Sequence, residues 1–372
     1  MEWKIPLFKT YSDQDDIDSV TEVIRRGTYW AVGPEIEEFE KKICKYSEAK
    51  YCTVLNNGTS ALHAALLVAG IKAGDEVIVP SFTFISTANA PRFIGAKPVF
   101  CDIEQDVLGL DSEKLKECIT PKTKAIIPVN YAGNLCDIES IIDIAKDNNI
   151  LVIEDAAEAM GTKSGHKHAG TFGTMGIYSF CQNKIISTGE GGCIITDDSI
   201  LDEKLKILRS HGREERDRNY FNGESCNYGS LGYNFRMPSI NAALGISQLN
   251  KIEKIIKSRR EIASKYNNSF SSLDIEIPKE RNGIRHVYQL YTIRLKDKKT
   301  RDNLQNYLKL RGISSKIYFP PVHKEKTFKG IDVELPITDS VSDTVLSLPI
   351  YPTLKNSETE EIINIVKQFF GD

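Results

Sequence analysis

The chain has 372 residues, 41% of them hydrophobic, which is enough for two domains with a sizeable core. Its 27% charged residues balance to a net charge of −3, which excludes a dedicated nucleic-acid binder, since phosphate recognition needs a basic surplus. The eight cysteines show no CxxC spacing, which argues against a zinc site, and no run approaches the ~20 apolar residues of a membrane helix. Most cysteines lie in apolar, strand-like stretches and read as reduced core residues. The opening MEWKIPLFKTYSDQDD lacks the apolar stretch of a signal peptide, and together these features predict a cytoplasmic protein. A local cluster, Arg213, Arg216 and Arg218, is still suited to binding a few phosphates.

Residues 12–26 (SDQDDIDSVTEVIRR) predict a capped helix, with Ser12 as N-cap, acids in the first turn, Arg25-Arg26 in the last and Gly27 as the stop. The loop TYWAVGP sets Tyr29 beside Trp30, either as a lid over a site or as a plug over the core. Residues 35–46 predict a second helix. Residues 51–55 (YCTVL) predict a strand, 56–60 (NNGTS) a turn and 61–68 a helix. That order makes a candidate anion site, because the first N–H groups of a helix lack partners and its dipole is positive there. An ordinary βα turn with a Ser/Thr cap has the same pattern.

Residues 75–80 (DEVIVP) predict the next strand, followed by SFTFIST. Phe82 and Phe84 are spaced by two and share a face, so one of them is expected in the core. Strands at 97–102 and 124–130 and a helix at 138–148 follow. The apolar run 150–153 reads as a parallel strand buried on both faces. Glu154-Asp155 close it at the end where open α/β sheets bind ligands. Strands alternating with helices predict a doubly wound, mainly parallel α/β sheet. His166 and His168 (SGHKHAGTFG) have no acidic or cysteine partner nearby in sequence and read as solvated loop histidines rather than metal ligands.

Residues 177–192 (IYSFCQNKIISTGEGG) carry the most chemistry. A strand ends at Ser179-Phe180, Lys184 follows in a polar turn, and a Gly-rich turn leads into a strand at 193–196. A lone loop lysine is usually just exposed. One fixed between two turns and shielded from water loses its proton more easily and becomes a nucleophilic amine. Asp155 upstream supplies the second half of a pyridoxal-phosphate pair: a carboxylate keeps the pyridine nitrogen protonated while an amine holds the aldehyde.

Residues 208–227 are charged and irregular, a candidate mobile loop over a substrate. After GYNFRM, Pro238-Ser239 open a long helix over 240–266, where a large domain (1–245) hands over to a smaller one (246–372). HVYQLYTIRL (286–295) alternates like a half-exposed strand, and 293–308 and 357–370 contain helices.

Taken together, EDAAEAMG, YSFCQNKIISTGEGG and GYNFRM resemble the DegT/DnrJ/EryC1/StrS sugar aminotransferases, over nearly the whole span from Trp30 to Pro352. The resemblance implies the aspartate aminotransferase fold (fold type I), with a large, mainly parallel α/β domain and a smaller C-terminal α/β domain. It implies pyridoxal 5'-phosphate as cofactor, with pyridoxamine phosphate between two half-reactions. It makes Lys184 and Asp155 the catalytic pair, puts Gly58, Thr59 and Ser179 on the cofactor phosphate, and stacks Phe84 on the ring where relatives carry Trp or Tyr. Asn234 reaches the phosphate of a partner subunit in relatives, which implies a homodimer with shared sites. Glu158 stands where many relatives carry Gln or His near the phenolic oxygen. It carries a proton, faces elsewhere, or marks a perosamine-synthase-like subgroup, the last being preferred. Tyr29, His286, Tyr318 and His323 are candidate contacts to the sugar nucleotide, each with an equally good structural role. The implied reaction moves an amino group from L-glutamate to a nucleotide-linked 4-keto-6-deoxyhexose at C4, leaving 2-oxoglutarate, for glycan synthesis. The alternatives are amination at C3, a dehydratase of the same family (which carries histidine in place of the lysine), and a non-enzymatic regulator on the same scaffold.

Overall fold

The computed structural model describes residues 3–214 and 227–371. Arg216, Arg218, Cys226 and most of the predicted substrate loop lie outside them. The first helix, α1 (Gln14–Arg26), starts one residue later than expected: Asp13, not Ser12, is the N-cap, in a capping box with Asp16. A left-handed Gly27 (φ 72°) ends it. After α2 (Pro34–Ser47), strands and helices alternate: β1 (Tyr51–Leu55), α3 (Gly58–Val68), β2 (Glu76–Pro80), α4 (Ile85–Phe93), β3 (Lys97–Cys101), α5 (Ser112–Cys118), β4 (Thr123–Ile126), α6 (Ile138–Asp147) and β5 (Leu151–Asp155). A small hairpin, β6 (Lys163–Ser164) and β7 (Lys167–His168), leads to β8 (Met175–Ser179), β9 (Gly192–Thr196) and α7 (Ser199–Leu208).

Seven of these strands form one sheet in the order β1-β9-β8-β5-β4-β2-β3, parallel except at β9. The β6/β7 hairpin pairs separately with β10 (Ile284–Arg285). Buried strand residues alternate between two helical layers. On β5, Val152 packs with residues of α2, α6 and α8 (Ser239–Leu249), while Ile153 packs with residues of α3, α4 and α7. Each fully buried Ile or Val contributes about 1.5–3 kcal/mol, so both faces of the sheet are strongly specified.

This topology brings one edge together. β1, β2, β5 and β8 point the same way, and β9 returns antiparallel between β1 and β8 with Leu55 opposite Gly192 and Ser179 opposite Gly192. The turn holding Lys184, the end of β5, the start of α3 and the start of α4 therefore share the C-terminal edge.

Two expectations change in the second half. The long helix over 240–266 is two helices, α8 and α9 (Ile252–Phe270), interrupted at Asn250-Lys251. Lys251 turns toward α1, where its Nζ is 2.7 Å from Asp16. The expected domain boundary at 245/246 falls within α8. Ile252, Ile255 and Ile256 pack in the large core, whereas Ile262, Tyr266 and Phe270 pack with β11 (Tyr291–Arg294), α10 (Lys298–Lys309), β12 (Val345–Leu348) and the C-terminal helix α11 (Asn356–Phe370). Ile5 joins this smaller core, and its N–H bonds Gly312 O at 3.0 Å, so the segment around Ile5 packs with the C-terminal elements. The predicted strand over 286–295 shortens to β11, because the segment before it is held by side chains such as Arg259 and Arg260 and by the backbone at Ala132 and Gly133 instead of by a neighbouring strand.

His168 is not solvated. It sits at 1% exposure on β7 against the Tyr46 ring, because the hairpin folds back over the large core, and burial pushes its pKa down to about 4. His166 is exposed, as expected. The described cysteines are all free, no cluster of potential metal ligands is found among the described residues, and no described helix is long and apolar enough to cross a membrane.

Candidate active site

Asp155 ends β5 with 5% exposure. Its Oδ2 accepts from Thr87 Oγ1 at 2.8 Å and its Oδ1 from the Ala157 amide at 3.2 Å. Burial raises its pKa above the ordinary carboxylate value, opposed by these two donors and by the charge of Lys184. The adjacent Glu154 points to the other face of the strand. It accepts from the amides of Gly170, Phe172 and Gly173 at 2.6–2.9 Å and so anchors a turn rather than a ligand.

Lys184 is held in its turn by backbone bonds, among them its own N–H to Cys181 O at 2.9 Å. Its Nζ lies 3.1 Å from Glu158 Oε1, with side-chain exposures of 15% and 8% for the pair. The other oxygen of Glu158 accepts from the Ala132 amide at 2.9 Å. Glu158 therefore faces the lysine. Lys184 and Asp155 come to the same side of the sheet, through β8 and β5 hydrogen-bonded in register (Asp155 opposite Ile177).

The anion site takes shape at α3. Asn57 is its N-cap, accepting from the Ser60 amide at 2.7 Å. The amides of Gly58 and Thr59, in the first turn, have no intrahelical partner. A Cβ on Gly58 would lie 3.3 Å from Ser179 Cβ and 3.4 Å from its Oγ, so the glycine keeps the helix start open against that hydroxyl. A Cβ on Gly192 would meet backbone atoms of Asn57 and Gly58 at 2.7 Å, so β9 approaches this turn only as glycine. Phe82 is fully buried and Phe84 is 58% exposed at the N-cap of α4, which settles which of the two is core.

The remaining predicted residues divide. Tyr318 is near the centre: burial, and then the charge of Glu158, push its phenol up to about 12. Its carbonyl accepts from Tyr131 Oη at 2.6 Å. Asn234 is exposed beside a backbone bridge to Ser210. Tyr29 and Trp30 are 44% and 48% exposed, so their loop does not plug the core. His286 and His323, for which substrate contact and a structural role were equally open, are both buried. His286, 1% exposed, stacks on Tyr288 at 4.0 Å and accepts from its amide at 2.9 Å; burial takes its pKa down to about 3. His323 Nδ1 is bound to Ser81 Oγ at 2.7 Å and its Nε2 faces Asp339 at 3.6 Å. Both rings are buried and bonded to protein partners.

Sequence reasoning missed the residues that support the site. Thr87 holds Asp155, and Gln289 Nε2 donates to Asn183 O at 2.6 Å, beside Lys184. The hydroxyl-rich SFTFIST after β2 was the available signal for Thr87; nothing local marked Gln289.

A shielded lysine, a buried carboxylate and an open anion cradle on one sheet edge define a lysine-dependent pyridoxal-phosphate enzyme of the α/β type. The residues fit that cofactor: Lys184 for its aldehyde, Asp155 for its ring nitrogen, and Gly58, Thr59 and Ser179 for its phosphate. The profile of the DegT/DnrJ/EryC1/StrS aminotransferase family matches residues 10–367, and the chain belongs to that family. It is 34% identical over 368 residues to the GDP-perosamine synthase of Escherichia coli O157:H7, covering 99% of each chain. It is 37% identical over 361 residues to the GDP-perosamine synthase of Caulobacter vibrioides, covering 96% of this chain and 95% of that one. Its fold matches the crystal structure of a DegT DnrJ EryC1 StrS aminotransferase from Brucella abortus with a TM-score of 0.89 at 32% identity, covering 96% of both chains.

Proposed function

We propose that this aminotransferase moves an amino group from L-glutamate to C4 of a GDP-linked 4-keto-6-deoxyhexose, in the perosamine manner, to supply a surface glycan. The observation that carries the reading is the Lys184–Glu158 pair at 3.1 Å on the edge that holds Asp155. Lysine at this position separates the chain from the family's dehydratases, and the two GDP-perosamine synthases it resembles support the substrate class.

When bound, pyridoxal phosphate supplies an electron sink that draws charge from the carbon losing its proton. This chain's own groups do the rest. Lys184 Nζ takes the α-proton of the amino donor and returns a proton in the second half of the exchange. Glu158, tethered by the Ala132 amide, aims that amine. Asp155 sets its carboxylate against the ring nitrogen. The Gly58 and Thr59 amides and the Ser179 hydroxyl receive the phosphate, and Phe84 covers a ring face. Tyr318 and Tyr29 are the proposed sugar-nucleotide contacts, and exposed Asn234 completes the site of a second copy in a cytoplasmic homodimer.

The test is turnover of a panel of nucleotide-linked keto sugars with L-glutamate. The expected result is 2-oxoglutarate together with a GDP-sugar bearing nitrogen on C4 by NMR. Nitrogen on C3, or loss of a hydroxyl without gain of nitrogen, moves the assignment within the family. Absence of any half-reaction with any amino donor favours a regulator on this scaffold. Sedimentation of an active monomer would remove the role given to Asn234.

A further inference from the structure

The Asp155 carboxylate does not stand alone. Thr87 Oγ1 lies 2.8 Å from its Oδ2, and Thr83 Oγ1 lies 2.9 Å from Thr87 Oγ1, with all three side chains buried. A carboxylate accepts and a hydroxyl has one proton to give. If Thr87 gives its proton to Asp155, the proton between the two hydroxyls must come from Thr83. The chain thus runs in one direction: Thr83 to Thr87 to Asp155.

We infer that Thr87, backed by Thr83, is a positioning residue that keeps the Asp155 carboxylate charged and aimed at the cofactor's ring nitrogen. This rests on the reading of the site as a pyridoxal-phosphate site. Three features support it. Asp155 is otherwise held by a single, longer bond from the Ala157 amide at 3.2 Å. A buried carboxylate needs donors to stay ionised, and successive hydroxyls polarise one another in low dielectric. Thr87 also lies on the first turn of α4, its N–H bonding Phe84 O at 3.1 Å. One rigid turn therefore carries both the exposed ring of Phe84 and the hydroxyl that fixes Asp155. The device orders two ends of the site with a single backbone element.

The consequence concerns where a proton rests. Between Asp155 and a ring nitrogen one proton is shared. Donation from Thr87 favours carboxylate plus protonated nitrogen, and its loss favours carboxylic acid plus neutral nitrogen. Thr87→Val keeps shape and removes the donor, whereas Thr87→Ser keeps the donor. The experiment is 15N NMR of the holoenzyme loaded with ring-labelled pyridoxal phosphate, with cofactor titration and half-reaction rates alongside.

Thr87→Val is expected to move the ring-nitrogen signal toward the neutral value and to weaken cofactor affinity about tenfold or more. The half-reaction rate constant should fall while the KM for glutamate changes little. Thr87→Ser should restore all three, and Thr83→Val should show the same changes at smaller size. An unchanged nitrogen signal in Thr87→Val, even with a lower melting temperature, overturns the inference and leaves the threonine a packing residue. Should Thr87→Val fail to fold, Thr83→Val decides by the same signal. Failure of the wild type to bind the cofactor at all is a different result, which removes the underlying site reading.

Discussion

Two regions of this molecule bury polar side chains to a similar degree and use them differently. At the C-terminal edge of β5 and β8, Asp155, Glu158 and Lys184 come together, each fixed by one or two neighbours. At the junction between the large and small parts, His286, His323 and Arg259 are spent on the protein itself. Arg259 is fully buried and donates to the carbonyls of Tyr288, Gln289 and Ile350 at 3.1–3.2 Å. The difference teaches that burial of a titratable group marks a functional site only where its partners leave it a face toward space. The same contrast occurs within one dipeptide, where Glu154 is consumed by three amides and Asp155 by two donors at the rim.

The sharpest way to break the comparison is Lys184→Ala. It should lower transamination by about 10²–10⁴-fold, measured as 2-oxoglutarate release, and no junction substitution should approach that. Next comes the dipeptide. Glu154→Ala strands three buried amides and should cost roughly 3 kcal/mol or more, read as a fall in denaturation midpoint. Asp155→Asn should leave the midpoint near wild type while cofactor affinity and rate fall. If the two variants exchange these behaviours, the faces of β5 have been misassigned.

Acid stability probes the buried histidines. His168 and His286 titrate near 6.5 when unfolded and at about 4 and about 3 when folded, both lowered chiefly by burial. The unfolded chain thus binds protons first. Their stabilisation is complete above about pH 6.5 and is lost as the pH falls toward about 4 for His168 and about 3 for His286. We expect about 2 kcal/mol of the acid loss to disappear in His168→Leu, seen as a flatter plot of denaturation midpoint against pH. The smallest effect is expected at His323. His323→Ala should cost about 1 kcal/mol through its lost bonds to Ser81, with kcat/KM within a few-fold of wild type. A collapse of kcat/KM would return this histidine to the substrate site.

Much of this was legible beforehand, for local reasons. β1 begins and ends where its apolar run does, and the strand around Ile153 read as buried because a two-sided sheet demands continuous apolar residues. Lys184 and Asp155 stood out because their chemistry needs particular residue types beside turns and strand ends, whereas Ser179 and Gly58 stood out only through the family resemblance. The break between α8 and α9 was not read beforehand; it falls at Asn250-Lys251, where Lys251 reaches two aspartates over two hundred positions away. Nor were the fates of His168, His286 and His323.

The linear chain by itself determined the order of strands and helices, the candidate amine and carboxylate, and the kind of cofactor they suit. These depend on side-chain type and short-range pattern. Only the folded molecule decided which face of β5 serves the site, that Glu158 meets Lys184, that Thr83 and Thr87 stand behind Asp155, and that Ile5 closes the C-terminal core. Those outcomes depend on contacts between residues distant in sequence, and such contacts are selected by how the sheet and its two helical layers pack.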